Sequence, residues 1–123
     1  MTQLDTVVAR PFGMRLHAVD AWLREPSILV DSCGLRSLLH RAAAAGGATV
    51  LADEFYVFPN GAVTGVLLLA QSHLSIHTWP ELLLANIDLL TYGDVDADAV
   101  LGAMRIGLEA DRFNVVALTR GTA

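Results

Sequence analysis

The run AQSHLSIHTWPE, Ala70 to Glu81, holds two histidines, two serines, a tryptophan and a carboxylate. Its polar and apolar residues alternate from His73 to Trp79, which predicts a strand. On a strand His73, Ser75, His77 and Trp79 share one face, and Leu74, Ile76 and Thr78 share the other. The first face is polar and aromatic; the second reads as core. Three chemistries are open to such a face. A metal would take His73 and His77, but on a strand they lie about 13 Å apart along the chain. No Cys, Asp or Glu cluster completes the ligand set, so no metal is expected. The plainest reading is a solvated or interface strand with two ordinary histidines. The third is nucleophilic, with Ser72 activated by a nearby histidine. The GxSxG elbow that would mark a hydrolase serine is absent.

These residues need elements to hold them. Residues 1–13 read as a loose arm ending in Pro11 and Gly13, ahead of one domain over residues 14–121. Met14–Leu23 alternates as a strand, and Pro26 ends the extended run because it cannot donate to a ladder. Asp31 or Ser32 can cap a helix whose stripe is Leu35, Leu38, Leu39, Ala42 and Ala45, stopped by Gly46-Gly47. Ala48–Phe58 reads as a strand and Pro59-Asn60-Gly61 as a hairpin turn. Ala62–Ala70 returns as a nearly all-apolar strand, which predicts cover on both faces or at an interface. Pro80 ends the His73–Trp79 run, Leu84–Tyr92 makes another strand, and Gly93 turns the chain. Asp94, Asp96 and Asp98 suit a helix N-terminus, ahead of a stripe of Val100, Leu101, Met104 and Leu108. Phe113–Thr119 is the last strand. The order β-α-β-β-β-β-α-β predicts an α+β fold: a mostly antiparallel sheet with two helices on one face.

Composition limits the partners. The 123 residues suit one domain, and 54% of them are hydrophobic. The mean hydropathy of +0.49 is high for so small an interior, which points to a buried subunit interface, most simply a symmetric dimer. A net charge of −5 argues against nucleic acid and anionic membranes and is compatible with a cationic substrate. One cysteine, Cys33, excludes an intramolecular disulfide. The first residues do not read as a signal peptide, and the run Gly65–Ala70 is far below the roughly 20 residues of a membrane helix, so a cytoplasmic protein is expected.

The segment SHLSIHTWPE resembles the signature of the bacterial and archaeal S-adenosylmethionine decarboxylases, a pyruvoyl-dependent family. The resemblance extends to GGAT after the first helix, the hairpin into GVLLLA, the strand ANIDLLTYG, and the closing helix and strand. It implies the antiparallel two-layer fold and a self-cleaving proenzyme. By this resemblance Ser72 attacks the carbonyl of Gln71, and an N→O acyl shift turns the peptide bond into an ester. Elimination and hydrolysis then leave a β chain of residues 1–71 and an α chain of residues 72–123 that starts with a pyruvoyl group. That ketone forms a Schiff base with a substrate amine and serves as the electron sink for decarboxylation. The resemblance also assigns processing roles to Thr64 and His77 and places Phe58, Trp79 and Glu81 at the substrate. It implies a homodimer of αβ units with the active site at or near the interface.

Three positions depart from the family pattern. Gln71 stands where the family usually has glutamate, and the acyl shift uses only the backbone carbonyl there. Thr64 stands for a serine and keeps the hydroxyl on a stiffer side chain. Tyr92 stands for the cysteine that returns a proton to the carbon that lost carbon dioxide. A phenol can donate, but its reference pKa is about 10 against about 8.5 for a thiol, and it is far bulkier. Cys33 begins a different element and is no substitute. Three functions are open: decarboxylation of S-adenosylmethionine for polyamine synthesis; pyruvoyl-dependent decarboxylation of another amino acid, such as ornithine, arginine or a specialised one; or an unprocessed, non-catalytic homologue.

Overall fold

Alternation builds the first strand. In the computed structural model, which describes residues 13–121, β1 (Met14–Leu23) buries Val19, Ala21 and Leu23 and turns Asp20 outward. All but Gly13 of the expected N-terminal arm lies outside the described residues. A 3-10 turn, Ser27–Val30, leads into α1 (Ser32–Ala45), where Asp31 caps the helix by accepting from the Gly34 N–H. The helix buries Leu35, Leu38, Leu39, Ala42 and Ala43. Ala45, expected in that stripe, is exposed. The next inward place falls on Gly46, where any Cβ would collide with Val100 and the Asp96 carbonyl.

The remaining elements are β2 (Val50–Val57), β3 (Val63–Leu69), β4 (Ser72–Trp79), a 3-10 turn (Pro80–Leu82), β5 (Leu84–Thr91), α2 (Ala97–Leu108) and β6 (Ala110–Arg120). Asp96 caps α2 by accepting from the Ala99 N–H, and Val100, Leu101, Met104 and Leu108 are its buried stripe. The six strands form one antiparallel sheet in the order β2-β3-β4-β5-β1-β6. Both helices pack on one face, where Leu67, Leu74, Ile76, Ile87 and Leu89 complete the core with them. The fold is therefore the α+β, two-layer arrangement that the element order implies. No helix among the described residues is long and apolar enough to cross a membrane.

The edge strand β2 is fastened to α1 by side chains. His40 Nε2 lies 2.7 Å and Arg36 Nε 3.2 Å from the same Asp53 carboxylate oxygen. The His40 hydrogen bond, aided by the Arg36 charge and opposed by some loss of solvent, holds the Asp53 carboxyl below its ordinary range. Inside the sheet the Phe55 ring lies against the bare backbone of Gly65, a space no side chain at 65 could share.

The other face of the sheet carries no helix. Val63, Gly65, Leu67 and Leu69 of β3 are buried, but Val66 and Leu68 are 36% and 52% exposed. Of the two arrangements expected for this strand, cover on both faces is absent within one chain, because both helices lie on the Leu67 side.

Thr78 joins the layers. Its fully buried hydroxyl accepts from the Val63 N–H at 2.8 Å and donates to the Leu29 carbonyl at 2.7 Å. Thr78→Val keeps the shape and orphans both backbone groups. Thermal or urea unfolding should register a loss of about 2 to 4 kcal/mol, while Thr78→Ser should retain most of the stability.

Candidate active site

The upper half of the helix-free face is built around His77. Its Nδ1 lies 2.6 Å from the Thr64 hydroxyl across the β3–β4 ladder. An aromatic series runs beside it: Tyr56 to Phe58 at 4.9 Å between centroids, Phe58 to His77 at 5.8 Å, His77 to Trp79 at 4.4 Å. The turn after Phe58 is fixed by Asn60, whose side-chain oxygen accepts from the Ala62 N–H. Pro80 starts the 3-10 turn that presents Glu81, and left-handed Leu83 ends it. Beside them lies an open cavity of about 420 Å³ lined by Phe58, Asn60, Ala62, His77, Trp79 and Glu81 among others. A larger hollow of about 630 Å³, between Arg24 and Glu109, contains none of them.

The lower end of the same sheet holds the other predicted residues. Leu69 pairs with Ser72, so Ala70 and Gln71 form the tip of a two-residue hairpin. Gln71 has φ +63°, a left-handed conformation that L side chains resist by roughly 1–2 kcal/mol. The Ser72 hydroxyl beside it is buried, with no hydrogen-bond partner among the described residues. Tyr92 comes directly after β5, at the end where β4 begins, and is 39% exposed.

One chain does not unite these halves. Ser72 and His77 are five residues apart on a continuous strand, roughly 16 Å along it. The structure brings together Phe58, Thr64, His77, Trp79 and Glu81, and separately Gln71, Ser72 and Tyr92. His73 shares a face with His77, but among the described residues no three metal-ligating side chains converge.

The family model for S-adenosylmethionine decarboxylase matches residues 15–121. The chain belongs to this family. The S-adenosylmethionine decarboxylase proenzyme of Methanococcus vannielii is 38% identical over 104 residues, covering 84% of this chain and 85% of that one. That of Methanococcus aeolicus is 33% identical over 105 residues, covering 85% and 90%. The crystal structure of the adenosylmethionine decarboxylase from Aquifex aeolicus superposes with a TM-score of 0.77 at 30% identity, covering 91% and 93%.

As a member of the S-adenosylmethionine decarboxylase family, the chain is an enzyme of the decarboxylase class. Cys33 lies exposed in the first turn of α1, in the helix layer behind the sheet. The pattern of residues missed three members of the upper half. Strand registers align Tyr56, Thr64, His77, Asn86, Asp20 and Asn114 in one row across all six strands. Trp79 Nε1–H donates to Asn86 Oδ1 at 2.6 Å, and Asn86 Nδ2 donates to Asp20 Oδ1 at 2.8 Å. The signal for Asn86 and Asp20 is their polarity: such residues are depleted in strands, yet Asp20 stands between Val19 and Ala21 and Asn86 between Ala85 and Ile87. Tyr56 reads as an ordinary strand aromatic and carries no such signal.

Proposed function

We propose that the chain is a self-processing, pyruvoyl-dependent S-adenosylmethionine decarboxylase. The observation that carries this reading is the geometry at Gln71–Ser72, a strained residue ahead of a buried hydroxyl with no competing partner among the described residues. Ser72 Oγ adds to the Gln71 carbonyl carbon, the C–N bond breaks, and the nitrogen takes the proton. Loss of the Ser72 α-proton then breaks the Cβ–Oγ bond and releases Gln71 as a carboxylate. Water displaces the nitrogen of residue 72 as ammonia. The β chain ends at Gln71, and the α chain, residues 72–123, begins with the pyruvoyl group. That group supplies a terminal ketone that takes up an amine and draws off the electrons freed as carbon dioxide leaves. His77, held by Thr64, moves protons of the ester step. Tyr92 holds the proton that the product carbon receives. Phe58 and Trp79 give the substrate an aromatic wall, and Glu81 gives it a carboxylate.

The working unit in this reading is a two-fold dimer joined through the helix-free face. The roughly 16 Å between Ser72 and His77 in one chain supports it. So do Val66, Leu68, Val116 and Leu118, all exposed on that face. A two-fold axis lying between the two facing sheets, across their strands, brings Ser72 and Tyr92 of one chain to the partner's His77.

Tyr92 favours a second reading, the same chemistry on a smaller amino acid such as ornithine or arginine, because a phenol takes space that a thiol leaves. The retained aromatic wall supports the adenine-bearing substrate. An intact mass spectrum should therefore show two chains, the second with a pyruvoyl end. Carboxyl-labelled S-adenosylmethionine should release labelled carbon dioxide. Release from ornithine or arginine alone moves the assignment to the second reading, and a single uncleaved species ends both. Tyr92→Phe should cleave itself normally and lose about 10²-fold or more in turnover. Unchanged turnover removes Tyr92 as the proton donor.

A further inference from the structure

We propose that Asn86, oriented by Asp20, is a positioning residue that fixes the indole of Trp79 as one wall of the substrate cavity. The inference deepens the reading above and rests on it for the identity of the substrate.

The polarity of the chain of contacts is fixed at both ends. An indole N–H can only donate and a carboxylate can only accept. The amide between them must therefore turn its oxygen to Trp79 and its nitrogen to Asp20. The observed distances, 2.6 Å and 2.8 Å, agree with that orientation. Asn86 sits directly across the ladder from His77, whose ring meets the indole at 4.4 Å. Asp20 sits directly across from Asn86 on β1. The anchor thus spans three adjacent strands and ends on a ring that lines the cavity. Without it, a tryptophan that is 39% exposed and followed by a proline has no side-chain hydrogen bond among the described residues to choose its rotamer. Freeing the indole also removes the edge contact that steadies the His77 ring.

Position 86 needs an amide, because it must accept on one side and donate on the other. Asn86→Asp alone would set carboxylate against carboxylate across the ladder from Asp20. Combining it with Asp20→Asn restores the pattern, since a carboxylate at position 86 can accept both from the indole and from an amide at position 20. This exchange supplies the test.

Trp22 is first replaced by phenylalanine so that Trp79 is the one tryptophan, excited selectively over the tyrosines. Asn86→Asp should lower the Trp79 anisotropy and weaken S-adenosylmethionine about five- to tenfold, the size of one lost hydrogen bond, in KM and in Kd from fluorescence quenching. Turnover at saturation should change little by comparison. The double exchange D20N/N86D should recover the anisotropy and bring KM and Kd to within about twofold of the natural chain. A loss through general destabilisation has no reason to be rescued this way. Unchanged anisotropy in Asn86→Leu, which removes the acceptor altogether, overturns the anchor, and unchanged anisotropy in Asn86→Asp overturns its orientation by Asp20. Lowered anisotropy with unchanged affinity overturns its role in binding. A double exchange no better than the single overturns the polarity argument. If the natural chain itself neither binds nor decarboxylates S-adenosylmethionine, the function assigned to the site fails and this inference falls with it, whatever the anisotropy.

Discussion

Ser72→Ala will leave the protein as one species near 13.1 kDa and abolish decarboxylation. The proposed cleavage needs an oxygen on Cβ of residue 72, both to attack Gln71 and to leave in the elimination, and alanine offers none. The reactive ketone is then never made, so activity should fall by at least about 10³-fold, more than a single acid–base group contributes at the low end of its range. The fold should survive. The Ser72 hydroxyl makes no hydrogen bond among the described residues, and removing an unpaired buried hydroxyl is close to neutral or mildly stabilising. Circular dichroism and thermal unfolding of the variant check this. Hydroxylamine added during processing of the natural chain should divert the ester, giving a Gln71 hydroxamate and a second chain that starts with serine. Cleavage of Ser72→Ala, or a melting point far below that of the natural chain, contradicts the account.

A mixed assembly of Ser72→Ala and His77→Ala chains will process where neither does alone. Each variant lacks one half of the site, and Ser72 and His77 lie five places apart on one strand within a chain. In a two-fold dimer, a His77→Ala chain supplies Gln71, Ser72 and Tyr92. Its Ser72→Ala partner supplies Thr64 and His77. Co-expressed with different tags, the pair should yield cleaved His77→Ala chain, and only in the mixed species. Decarboxylation should return with it, at up to about half the natural value per dimer, since one of the two sites is complete. Efficient cleavage of His77→Ala by itself would remove the histidine from processing. No cleavage in a well-formed mixed dimer would mean that the halves do not meet across an interface.

Much of the fold is legible in the sequence because its elements carry local signals. Asp31 and Asp96 cap the helices they precede, and Gly46-Gly47 closes the first. Period-two alternation sets β1 and β4 and tells which face of each is core. Expectation and structure part where a neighbouring element decides. Ala45 loses its inward place to Gly46 because α2 approaches there. The apolar run of β3 implies cover on both faces or at an interface, and only the packing of the helices shows that one chain leaves its outer residues open.

The sequence by itself determined the chemistry available: a serine, a histidine, an aromatic wall and a phenol in the place of a thiol, all recognisable from residue type, order and family pattern. Only the tertiary structure decided which of them meet. Strand register, fixed by burying Leu74 and Ile76 on one face, sets Thr64 beside His77 and aligns Asn86 and Asp20 behind Trp79. The same extended geometry holds Ser72 apart from His77, because a strand keeps residues five places apart at roughly 16 Å whatever their chemistry. Spacing along a chain cannot reveal a contact made between strands. Nor can it reveal one that the proposed dimer would make between two copies.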